Sequence, residues 1–152
     1  MERLDLDLQK RVWQRVQARN ETGNVPPPAD NIKPLILTAQ ENAAVYRRAA
    51  QRAGQRDRER LMALYREARQ SIACMRGICR VRGEQVRMLP LTPRWEPMPR
   101  ALQKCYHRER RLWEEWDRRT GDPEYGLVFG RMAQQARERC ATIMELLGQV
   151  EG

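Results

Sequence analysis

The stretch Cys105-Tyr-His-Arg-Glu-Arg-Arg-Leu-Trp-Glu-Glu-Trp116 decides how the chain is read. With Leu102 just before it, its apolar residues are Cys105, Tyr106, Leu112, Trp113 and Trp116, the i, i+3, i+4, i+7 spacing of one helix face. Glu109 stands in the middle of that face, where a carboxylate is costly unless something pairs with it. The other segments are therefore read for what they bring to Glu109.

Outward from that stretch the pattern stays helical. Leu35, Ala39, Ala43, Tyr46, Ala50 and Ala53 mark a helix starting near Asn31, with Pro34 in its first turn and Gly54 at its end. A second helix starts near Asp57, carries Leu61, Leu64, Tyr65, Ala68, Ser71, Ile72, Met75 and Ile78 on one face, and closes at Gly83. Residues 84–99, with Pro90, Pro93, Pro97 and Pro99, are too rich in proline for helix and too long for a tight turn. The third helix runs from about Pro99 to Arg119. A short turn follows, with Pro123 expected at the first position of the fourth helix, whose stripe is Val128, Phe129, Met132, Ala136, Arg139, Cys140, Ile143 and Leu147. The expected fold is all-α: two helical hairpins with short turns, joined by one long crossover.

Ahead of the bundle, Leu4, Leu8, Val12 and Val16 with Trp13 predict an extra N-terminal amphipathic helix with a basic outer face. Such a helix can lie on a membrane but more often packs on its own bundle or on a second subunit. Gly23 and Pro26-Pro27-Pro28 make a stiff connector. Residues 1–31 are thus read as this helix and its connector, and 32–152 as the four-helix bundle.

The chain has 152 residues, enough for one domain with a single core. Its 29 basic residues, of which only Lys10, Lys33 and Lys104 are lysines, outnumber 20 acidic ones, for a net charge of +9. An arginine-rich surface can bind nucleic acid or an anionic membrane. Here acids stand among the bases, and a GC-rich genome gives the same skew, so a solvated surface is the plainer reading. Two basic groups stand out: Arg47, Arg48, Arg52, Arg56, Arg58 and Arg60, and Arg76, Arg80, Arg82, Arg87, Arg94 and Arg100 around Trp95. Asp57, Glu59, Glu84 and Glu96 interrupt them. No secretory signal, lipidation motif or long apolar run is found, and Pro34–Ala39 is far too short to span a bilayer. A cytoplasmic, bacterial protein is the expectation, with a membrane partner disfavoured.

Cys74, Cys79, Cys105 and Cys140 lie in helical patterns without a CxxC pair, and His107 is the only histidine, which argues against a zinc site. Buried thiols in a reducing compartment are expected. The alternative is a redox pair of Cys74 and Cys105, or a mononuclear metal site of Cys105 with Glu109. Met75, Met132 and Met144 are read as core, and His107, two positions from Glu109, as solvent-facing.

The chain resembles ferritin-like, rubrerythrin-related proteins over roughly residues 32–148. The resemblance rests on the hairpin–crossover–hairpin order, Tyr46-Arg-Arg-Ala-Ala50, Met75-Arg-Gly-Ile78, and Asp122-Pro-Glu-Tyr-Gly-Leu-Val-Phe129. It implies a site for two irons, with one Glu from each of the first and third helices and a Glu-x-x-His pair from each of the other two. Carried over, those positions are Ala39, Ala68 with Ser71, Glu109, and Ala136 with Arg139. Glu109 alone keeps a ligand, with Glu41 and Glu67 as near misses on the wrong side of their helices, so neither a di-iron centre nor any other cofactor is expected. In its place, Arg139 is expected to form a bidentate pair with Glu109. Ala39, Ala68 and Ala136 would then fill the vacated space or leave a small wet cavity; the alternative turns Arg139 outward and leaves Glu109 to water.

Three functions follow: a non-catalytic structural or interaction module that self-associates or binds a protein partner, an iron- or peroxide-dependent oxidoreductase whose iron ligands lie elsewhere, and a basic helical protein that binds nucleic acid.

Overall fold

The computed structural model describes residues 31–151, and these form α1 (Lys33–Arg52), α2 (Gln55–Val81), α3 (Met98–Asp117) and α4 (Gly126–Glu151), with no strand among them. The expected N-terminal helix and most of its connector lie outside the described residues. No described helix is long and apolar enough to cross a membrane.

The helix ends follow from local chemistry. Pro34 sits in the first turn of α1, where its missing N–H costs nothing. At the end of α2, Gly83 takes φ 75°, which lets its own N–H reach the Arg80 carbonyl at 3.0 Å and the next N–H, of Glu84, reach Cys79 at 2.8 Å. Gly54 does not act that way. It is extended, at φ −65° and ψ 165°, and stands at the start of α2, so the α1–α2 turn is shorter than the sequence suggested.

Pro123 also falls outside its expected place, because α4 begins only at Gly126. Asp122 holds the turn before it, its Oδ1 accepting the N–H groups of Glu124 at 2.9 Å and Tyr125 at 3.0 Å. Gly126 is required there, since a Cβ would collide with the Thr120 carbonyl oxygen.

α1 packs on α2 and α3 on α4, as two hairpins; α1 also lies along α3, and α2 meets α4 more sparingly. Contacts between α1 and α3 run in opposite order, Glu41 against Arg108, Asn42 against Cys105, Arg52 against Glu96. These two helices are therefore antiparallel, and the connection from α2 must return along the bundle. A 27-residue helix is about 40 Å long, and the residues between Val81 and Met98 can stretch about 50 Å. The long proline-rich segment is thus a geometric necessity of this order of helices.

The core runs the length of the bundle. On the first hairpin it is lined by Ala39, Ala43, Ala49, Ala50, Ala53 and Ala68, whose small side chains let α1 and α2 approach closely. Between α3 and α4, Trp116 stacks on Phe129 with centroids 5.4 Å apart and planes at 10°. Met75 and Met132 are buried, as expected, but Met144 is 54% exposed, one position past the inward-facing Ile143.

A polar layer inside the bundle

Glu109 is 1% exposed, at the level where α1, α3 and α4 meet. Its Oε2 accepts the Arg139 Nε–H at 2.9 Å from α4. Its Oε1 accepts two bonds from α1, the Tyr46 hydroxyl at 3.0 Å and Asn42 Nδ2 at 3.1 Å. Asn42 Nδ2 also reaches the Cys105 carbonyl at 3.1 Å, and its Oδ1 faces Arg108 Nη1 at 3.5 Å. Both oxygens of a buried acid are thereby satisfied, the condition for burying it at all.

Arg139 is 3% exposed and does not reach out to water. Its contact with Glu109 is a single bond through Nε and not the expected two-point fork, because Oε1 is already occupied by the two α1 donors. Its Nη1 lies 3.7 Å from Glu67 Oε1, outside hydrogen-bond distance, and is buried without a hydrogen-bond partner. Burial works against the charged guanidinium, but the charge of Glu109 and its hydrogen bond outweigh that, with smaller help from Tyr46 and Glu67, and the Arg139 pKa is raised.

The neighbours are held in their neutral forms. Burial first, and then the charge of Glu109, push the Tyr46 hydroxyl well above its usual range, so it is a donor to the carboxylate. Burial lifts the Cys105 thiol to about 12 and the Cys140 thiol to about 11. Neither is a thiolate at neutral pH, which leaves both poor nucleophiles. Cys74 is exposed, not buried, and so does not face Cys105; all four thiols are free.

Ala39, Ala68 and Ala136 are buried at the expected inward positions, offering methyl groups and no donor atom, and Ser71 is buried beside them. Glu41 turns outward to Arg108 at 3.1 Å. Glu67 sits at the rim with its side chain 41% exposed, its pKa raised by burial. His107 is exposed. The residue missed by the sequence reading is Asn42. It lies on the inward stripe Leu35, Ala39, Asn42, Tyr46, Ala49, Ala53, whose steps alternate between four and three, and is the one amide in that run.

These residues do not fit a pair of metal ions. Among the described residues no group of three or more His, Cys, Asp or Glu side chains could hold even one. A cation beside Glu109 would have to displace or face the buried guanidinium of Arg139. No protein-family profile, no curated protein and no solved structure matches the chain.

Proposed function

We propose that this chain is a ferritin-like bundle whose central metal position is taken by its own acid and base, and that it acts as a non-catalytic interaction module. One observation carries the reading: both oxygens of Glu109 accept from protein donors, Arg139 on one and Tyr46 with Asn42 on the other. With Oε1 taken twice and the guanidinium of Arg139 against Oε2, a cation that approached this carboxylate would meet a buried positive charge beside it. The order of the helices and the long return connection support the ferritin-like assignment. Leu37, Val81, Leu127 and Met144 are exposed apolar side chains available to self-association or a protein partner.

Metal reconstitution tests the proposal. After anaerobic incubation with excess Fe(II) and removal of free metal, elemental analysis is expected to find well under one iron per chain. Two irons per chain would establish the oxidoreductase reading instead.

A further inference from the structure

The crossover has two flanks, and they use arginine differently. On the flank facing α3, a cavity of about 260 Å³ has four of its five cations, all but Arg94, tied down. Arg48 donates to the Pro93 carbonyl, Arg52 to that of Glu96, Lys104 pairs with the Glu96 carboxylate and Arg108 with Glu41. These bonds pin the connection to the bundle.

On the flank facing α2, a cleft of about 630 Å³ is lined by Arg47, Arg69 and Arg76 beside the already bonded Arg48, with no acidic residue in its walls. Tyr65 lies between two of these arginines. The guanidinium carbons of Arg47 and Arg69 stand 5.9 and 5.8 Å from its ring centre, and Arg69 Nη1 donates to its hydroxyl at 3.1 Å. That bond first, with the charges of both arginines, lowers the Tyr65 pKa against the opposing effect of burial. The opposite wall is apolar, with Met88, Leu89 and Leu91 of the crossover all at least 36% exposed. Arg76 continues into a second cleft with Arg80 and Arg87, where one acid, Glu84, stands among the arginines.

We infer that this arginine-lined cleft between α1, α2 and the crossover binds single-stranded nucleic acid. Pre-positioned guanidiniums suit phosphates, and guanidinium planes, Tyr65 and the apolar wall give bases something to stack on. An acidic peptide matches the charge but offers no row of flat faces to set against the guanidiniums and Tyr65. The inference rests on reading the chain as a binding module and adds a nucleic-acid partner to the protein contacts proposed above. Metal uptake would overturn that reading, whereas the outcomes below decide the cleft alone.

The test is fluorescence anisotropy of the full chain with a labelled 12-nucleotide oligo-U or oligo-dT over a range of salt. Two variants of equal net charge are compared, R47Q/R69Q/R76Q in the cleft and R110Q/R111Q/R118Q on the exposed side of α3. The cleft variant should weaken binding at least tenfold and flatten the slope of log affinity against log salt by about two, the loss of three phosphate contacts. The α3 variant should stay within twofold of the parent. Thermal melting followed by circular dichroism checks both folds, and R76Q/R80Q replaces the triple should it melt early. Absence of binding at 50 mM salt, equal weakening by both variants, or equal competition from polyglutamate of matched charge would each overturn the inference.

Discussion

Two layers lie seven residues apart on the same face of α3, and they are built on opposite terms. At Trp116 the layer is mainly apolar, a stacked ring pair with Phe129 edged by the Arg119 guanidinium 5.8 Å from the Trp116 ring centre. At Glu109 it is polar, and it depends on four side chains from three helices meeting at the right atoms. The apolar layer asks only for volume and shape, and forgives exchanges that keep both. The polar layer asks for completeness: every partner present, or none, because a single removal strands the others away from water.

The largest effect should come from breaking the polar layer on one side. Arg139→Met leaves Glu109 buried without a base and should cost about 3–5 kcal/mol in urea unfolding. Met132→Leu, in the apolar part of α4, should cost less than about 1.5 kcal/mol. Similar losses from the two would erase the distinction between the layers.

Tyr46→Phe removes one of the three bonds to the acid and should cost about 1.5–3 kcal/mol near neutral pH. It should also change the alkaline behaviour. The Tyr46 hydroxyl is raised in the folded chain above its usual 10.0, so its contribution is complete below pH 10 and is lost as pH climbs further, where only the unfolded chain gives up the proton. Cys105, raised from 9.0 to about 12, adds a loss with the same sign from pH 9 upward. The parent should therefore lose stability steadily above pH 9, and Tyr46→Phe should lose it less steeply above pH 10. Parallel curves for the two proteins would remove Tyr46 from the account.

Within the polar layer, the smallest net effect is expected where most is removed. Glu109→Met with Arg139→Met takes out acid and base together. It gains from the apolar exchange about what it loses by leaving the Tyr46 hydroxyl and one Asn42 bond unmet, so the double variant should lie within about 2 kcal/mol of the parent. A loss equal to the sum of the two single variants would mean that acid and base act independently.

Much of this was legible in the sequence, for reasons that can be named. The four helices follow from apolar periodicity, and Gly83 marks the end of α2 because its left-handed φ is a local property. Gly54 and Pro123 were misplaced because neither does there what its residue type most often does: Gly54 is extended, and Pro123 sits in a turn organised by Asp122. In the centre, Glu109 stood out as the wrong residue on an apolar face. Its base could be sought at Arg139 only through the expected facing of α3 and α4. Asn42 was passed over because the stripe was followed through Ala43. Which oxygen each donor takes depends on helix rotation and axial offset, which periodicity does not carry. Cys74 and Met144 lie close to the boundary of their stripes, where a small rotation decides between core and solvent.

The acid and its base belong to the same hairpin, 30 residues apart, while the phenol and the amide come from the other, more than 60 residues away. The second half of the molecule can thus bring Glu109 and Arg139 together before the first half arrives. What α1 then adds is a detent. Sliding it by one turn, about 5.4 Å, would set Asn42 in the place of Tyr46, or Tyr46 in that of Asn42, and bring Ala39 or Ala49 to the place left, so that one of the two bonds to the shared oxygen is lost. A seam made largely of alanine, smooth enough to slip, is given one place to stop.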